Sequence, residues 1–224
     1  MPGNRPDTAP TRTDPMRTIH RTIPWFILPL LAGSFAACSL LPSRAPVPVT
    51  YDFGPAPKQP VAPPLSGLVF LGFRSVPWLS GTSIHYRLLY RQAQELRRYG
   101  GKTWLAPPGS LMSRRLEVEL AELGVASRPR YTLTLHLVTF EQDFSTPQKA
   151  DDRLDVIAVL HRPLQADWEV SHDFRLTEST APSAEGAIRG FATLDDRFNR
   201  ELIQWIEREI KRRPNAVTLS IRRR

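Results

Sequence analysis

Chemistry needs nucleophiles, bases or metal ligands at fixed spacings, and this sequence offers few. Beyond residue 37 it holds four histidines: His85, His136, His161 and His172. They fall in separate stretches, and no H-E-x-x-H pair sets two ring nitrogens on one helix face for a metal. The G-x-S-x-G turn that exposes a serine nucleophile is missing. Gly100-Gly101-Lys102-Thr103 imitates the end of a phosphate loop, but Arg97 stands near the place of the required earlier glycine. The acidic pairs Asp151-Asp152 and Asp195-Asp196 read as solvating or capping groups, in a loop and on a helix face. The expectation is a protein that is not an enzyme, with no metal and no cofactor.

One residue remains that can be modified. Cys38 is the single cysteine, so no disulfide can form within the chain. It follows an uncharged run, Ile23–Ala37, preceded by Arg17 and Arg21. A bilayer span needs roughly 20 apolar residues. This run is shorter and is interrupted by Pro24 and Pro29. Its length suits the apolar centre of a secretory signal. Met16 is a possible true start, since 1–15 read as polar filler. Phe35-Ala36-Ala37-Cys38 resembles the bacterial lipobox, in which the cysteine is acylated and becomes the mature N-terminus; Leu is usual where Phe35 stands. The alternatives are an ordinary cleaved signal or an uncleaved helix. The resemblance to lipoproteins implies that Ser39, in place of Asp, favours the outer membrane of a Gram-negative bacterium, with the domain on the periplasmic face.

The whole chain carries a formal charge of +8, and +6 without the four Arg and two Asp of 1–37. A secreted basic protein points to anionic lipid or a protein partner rather than nucleic acid. Much of the excess sits near the end, in Lys211, Arg212, Arg213, Arg222, Arg223 and Arg224.

The elements follow from periodicity. Residues 1–37 are read as signal and 38–64 as a lipidated, Pro-rich tether holding eight of the 22 prolines in 42–64, with an early edge strand near 49–54. The folded domain spans 65–213, and 214–224 is a basic tail. "GLVFLGFR" (67–74) reads as a strand buried on both faces. "SIHYRLLYR" (83–91) reads as a half-buried strand. Arg98–Gly101 reads as a turn. A helix follows, with Ser110 as N-cap, Gly124 at its end and a Met112, Leu116, Leu120, Leu123 stripe. "RYTLTLHLVTFEQDF" alternates Tyr131, Leu133, Leu135 and Leu137 against Thr132, Thr134 and His136. The runs 153–162 and 166–176 give two more strands. A long helix covers about 183–211; Gly186 and Gly190 within it imply either fraying or very close packing. The fold class is therefore α+β: a mostly antiparallel sheet with two helices packed on one face.

With the elements placed, several short motifs resemble those of the ABC-type transport auxiliary lipoproteins, the group that includes the paraquat-inducible protein C (PqiC) type. They are Trp78-Leu79-Ser80-Gly81, Tyr86-Arg87-Leu88, Trp104 before Pro107-Pro108, Phe140-Glu141-Gln142 with Phe144, and Tyr51-Asp52-Phe53-Gly54. The resemblance covers roughly 50–210. It implies a non-enzymatic accessory at the outer membrane that docks a periplasmic MCE-domain protein of an ABC permease and ATPase moving lipid. It also makes a homo-oligomer plausible. Candidate contact residues are the aromatics Trp78, Tyr90, Trp104 and Phe144. Two other classes stay open: a lipid-binding chaperone, and an envelope-stabilising protein holding peptidoglycan or anionic lipid.

Overall fold

The computed structural model describes residues 47–55, 65, 67–121, 130–164 and 168–212, all within the unit Pro46–Arg224. The expected signal segment, Cys38, most of the tether, Gly124 and the 214–224 tail lie outside the described residues.

The described elements are β1 (Val49–Tyr51), β2 (Leu68–Ser75), a 3-10 turn (Pro77–Leu79), β3 (Ser83–Leu88), α1 (Leu89–Gln92), β4 (Leu96–Trp104), α2 (Pro108–Ala121), β5 (Tyr131–Thr146), β6 (Lys149–His161), β7 (Glu169–Thr180) and α3 (Ala184–Arg212). The strands form one sheet in the order β1-β4-β3-β5-β6-β7, with β2 also beside β5. β5, β6 and β7 make the expected antiparallel meander. The α+β class holds, with three parallel pairings added: β1 with β4, and both β2 and β3 with β5.

β5 organises the sheet because of its length. Its sixteen residues pair with β6 along one edge. On the other edge β2 takes the first half, through Ser75 opposite Leu137, and β3 takes the second, from Tyr86 opposite Gln142. Between them the Val76 N–H donates to the Leu137 carbonyl, and the 3-10 turn drives Leu79 into the core. The inward side of β5 changes parity midway. Tyr131, Leu133, Leu135 and Leu137 are buried, and then Phe140, Gln142 and Phe144. The register with β6 slips between Leu137 and Thr139, so Val138 is an extra residue. A bulge of this kind turns the following side chains to the other face.

Both larger helices share the core with this face. α3 buries Ala187, Phe191, Leu194, Phe198, Leu202 and Trp205. Ser183 Oγ accepts the Gly186 N–H as an N-cap, and Glu185 and Lys211–Arg212 match the helix dipole at its two ends. Gly186 and Gly190 mark close packing, not fraying. A Cβ at Gly186 would meet the Ala181 carbonyl, and one at Gly190 would meet Asp152 Oδ2 and Thr180 Cγ2.

Four readings of the sequence need correction. α2 begins at Pro108, with the Pro107 carbonyl accepting from Ser110 and Leu111, so Ser110 lies inside the helix. Proline at the first helical position pre-sets φ and lacks a donor that would have no partner there. Arg98–Gly101 is strand, not turn: β4 bulges against β3 between Ser83 and His85, and Gly101 takes φ +67° to allow it. The stretch from Ser83 to Arg91 is strand only to Leu88, after which α1 begins. β2 is not buried on both faces, since Leu71 sits in a bulge beside Gly72 (φ +94°) and is 60% exposed.

Candidate docking surface and its supporting core

The motif residues come together in space, mostly in the interior. The parallel β3–β5 pairing sets Tyr86, Arg87 and Leu88 opposite Gln142, Asp143 and Phe144. Arg87 Nε donates to Glu141 Oε1 at 2.7 Å, and the Tyr86 ring meets Phe144 edge-on at 5.7 Å. β1 brings Phe53 to Trp104, with ring centroids 5.3 Å apart. Trp104 also touches Phe140 and Phe191, and those two rings stack at 3.9 Å. Pieces far apart in sequence thus meet along β5 in a joint of two ring clusters, Phe53–Trp104–Phe140 closed by Phe191 of α3, and Tyr86 with Phe144.

Gln142 is the polar centre of this joint. Its side chain is fully buried. Oε1 accepts from the Tyr99 hydroxyl at 2.5 Å, and Nε2 donates to Thr180 Oγ1 at 2.7 Å and to the Ala181 carbonyl at 3.1 Å. Thr180 in turn donates to Asp152 Oδ1 at 3.1 Å. Burial pushes the Asp152 carboxyl up to about 8, against the pull of the Thr180 and Gln142 hydrogen bonds. Asp152 is therefore neutral in the fold at the pH where an ordinary aspartate is charged. The acid pair is not a solvated loop pair as expected; Asp152 points inward near the start of β6.

This arrangement makes stability depend on pH. A carboxyl whose folded pKa is raised binds its proton more tightly in the fold than in the unfolded chain. Its contribution is complete below the ordinary range near 3.8 and is lost as pH rises through about 8. Asp143, raised to about 6 chiefly by burial, and Asp195, raised to about 8 by burial, act with the same sign. The urea midpoint should fall as pH is raised from about 4 to about 8. Asp152→Asn, which mimics the neutral acid, should flatten part of that slope. A variant as steep as the parent would contradict the assignment.

The second buried polar contact joins the helices. Arg115 on α2 reaches Asp195 at 3.3 Å and Asp196 at 2.5 Å, and Asn199 Nδ2 donates to Glu119. Asp195 is fully buried, so the pair read as a solvated helix face is in part a helix–helix clamp.

The four aromatics expected at a contact surface separate into two pairs. Trp104 and Phe144 are buried, 1% and 7% exposed, and offer no surface to a partner. Both follow from strand parity: Trp104 ends β4 facing the core, and the Val138 bulge turns Phe144 inward. Trp78 and Tyr90 are exposed, 54% and 47%. They do not form one patch. Trp78 follows Val76 at the level of Leu137, and Tyr90 follows Leu88 at the level of Phe144. Seven residues of β5, roughly 23 Å of strand, separate those levels. Thr132, Thr134 and His136 lie half-buried on the face of β5 turned away from the helices, beside Ile157 and Val159 of β6. Among the described residues, no three His, Cys, Asp or Glu side chains group as a metal site.

No protein-family model matches the chain, and no curated protein matches it. Solved structures do. A crystal structure of a Xanthomonas campestris protein, described by the family model DUF330, superposes with a TM-score of 0.60 at 18% identity, covering 75% of this chain and 98% of that one. An uncharacterized protein superposes with a TM-score of 0.54 at 13% identity, covering 72% of this chain and 99% of that one. A provisionally described lipoprotein from Caulobacter crescentus, at 18% identity over 45% of this chain and 83% of that one, reaches a TM-score of only 0.27, too low to establish a common fold. The chain thus shares the fold of the Xanthomonas DUF330 protein over nearly the whole of that protein's length.

Proposed function

We propose that the chain is a lipid-anchored, non-enzymatic accessory of an ABC/MCE-type lipid transport system, docking the periplasmic MCE component at the outer membrane. The observation that carries this reading is the convergence of the motifs. Tyr86-Arg87, Glu141-Gln142, Phe144, Trp104 and Phe53 are far apart in sequence, yet they gather along β5 in two clusters, Tyr86 with Phe144 and Arg87 with Glu141 in one, Phe53 and Trp104 with Phe140 in the other. That is what short motifs do when they specify a common core. The fold supports it as well, since DUF330 is the PqiC-like group. The lipobox-like Phe35-Ala36-Ala37-Cys38 supplies the anchor.

A chaperone that carries lipid inside itself is less favoured. The space between sheet and helices is filled by Phe140, Phe191, Phe198, Trp104 and the leucines of β5. Trp78, exposed and well apart from Tyr90, has surface to give a protein partner. Detergent-extracted protein should capture an MCE-domain protein of the same cell envelope. Trp78→Ala should weaken that contact by about 2 kcal/mol, or roughly 30-fold in Kd, as for an aromatic anchor at an interface. Titration by interferometry reads both. If no MCE-domain protein binds the parent chain, the docking reading fails.

A further inference from the structure

Three connections meet at one end of the sheet. β3 runs parallel to β5, so α1, which follows Leu88 opposite Phe144, lies at the end that carries the β5–β6 turn. β7 runs antiparallel to β6, which brings Thr180 and the first turn of α3 there too. The opposite end holds Tyr131, His161 and the β6–β7 connection with Leu164, 92% exposed.

The α1 end is apolar and basic at once. Leu89 and Tyr90 are open to solvent, and so are Arg91, Arg98 and Lys149. Several carboxylates nearby are engaged: Glu95 with Arg97, Glu141 with Arg87, and Glu185 with Lys102. Asp151 is half-buried. The chain also enters the domain from this side. β1 runs parallel to β4, from Val49 opposite Lys102 to Tyr51 opposite Trp104. Its N-terminal side therefore points back toward Leu96 and α1, and exposed Val47 and Val49 line that entry. Eight residues lie between Cys38 and Val47, and this stretch reaches at most roughly 30 Å.

We propose that the α1 end of the domain rests on the phosphate headgroups of the bilayer that holds Cys38; this builds on the lipid-anchor reading above. A tyrosine ring and a leucine suit the boundary between headgroups and acyl chains, and arginine stems reach phosphates while lying along apolar surface. Each basic side chain near an anionic surface contributes about 1 kcal/mol, within a Debye length of roughly 8–10 Å. Such a patch is too weak to hold a free protein. On a short tether it meets the surface at high effective concentration and sets the orientation of the domain. Trp78 then remains clear of the membrane for a partner.

Acylated Cys38 leaves the mature protein without a free thiol, so Tyr90→Cys and Leu164→Cys each create a single labelling position. The labelled lipoproteins are placed in vesicles of phosphatidylethanolamine and phosphatidylglycerol that carry a headgroup-bound quencher. A fluorophore at Tyr90→Cys should be quenched severalfold more than one at Leu164→Cys. Added salt should shrink the difference. Arg91→Ala and Arg98→Ala should each lower the docked-to-undocked ratio by about fivefold. Equal quenching at the two positions overturns the proposal, and so does quenching at Tyr90→Cys that appears only after a protein partner is added. If the unsubstituted protein takes the label, Cys38 is free; the anchor reading has then failed and the membrane contact falls with it.

Discussion

Cys38→Ala should move the protein from the membrane pellet to the soluble periplasmic fraction while its circular dichroism stays that of a folded α+β domain. The effect is large because the anchor is the only strong membrane attachment in this account. A single acyl chain gives marginal, reversible binding, at about 0.8 kcal/mol per buried CH₂, and two or more hold stably. Among the described residues no helix is long and apolar enough to cross a membrane, so the described domain supplies no helical span to replace the lipid. The weak contact at the α1 end would be released by salt, whereas the acylated parent would need detergent. Fractionation in high salt separates the two. A variant that pellets like the parent in high salt would mean that something other than the cysteine holds the chain.

Above about pH 8, where Asp195 is ionised, Arg115→Ala should cost about 3–5 kcal/mol, the usual penalty for leaving a buried charge without its partner. Asp195 is fully buried and has the Arg115 guanidinium 3.3 Å away, while Asp196, partly exposed, loses a closer contact and can turn to water. Burial already holds the Asp195 carboxyl up near 8, so protonation offers the variant an escape. The penalty should therefore shrink as pH is lowered through that value. Arg115→Met combined with an aspartate-to-leucine change at Asp195 should recover most of the loss, because an apolar pair of similar volume avoids the desolvation cost. Urea unfolding of the parent and the two variants at two pH values checks each statement. Arg115→Ala with the parent's midpoint would show that the clamp contributes nothing.

Parts of the fold were legible because hydrophobic period and burial agree. The β5–β7 meander and the apolar stripe of α3 follow from alternation and from 3.6-residue spacing alone. What failed were places where a glycine or an extra residue changes register. Gly100-Gly101 has the composition of a turn, but it serves a bulge against β3, and only the pairing of Thr103 with Ser83 reveals that. Val138 shifts the inward parity of β5 by one, which a strict alternation cannot show before β6 is placed beside it. The same shift turns inward Phe144, which was expected at a contact surface.

The candidate site was half legible. Trp78, expected at a contact surface, is exposed on the 3-10 turn. Tyr90 was assigned to a strand and reaches the surface by a different route, on α1. The buried polar groups were missed altogether. Asp152 and Asp195 look like surface acids in one dimension, because their counterparts Thr180, Gln142 and Arg115 are 10 to 80 residues away in sequence. A clue was present in Gly190: a glycine on the apolar side of a long helix marks a close approach, and here it makes room for the Asp152 carboxyl.

The central claim is that a lipid on Cys38 moors this sheet-and-helix domain to the membrane, and the intact mass of the mature, detergent-extracted protein tests it most directly. The account predicts a polypeptide beginning at Cys38 with the added mass of a diacylglyceryl group and an amide-linked acyl chain. A mature chain that starts at any other residue, or at Cys38 without acyl groups, would contradict it.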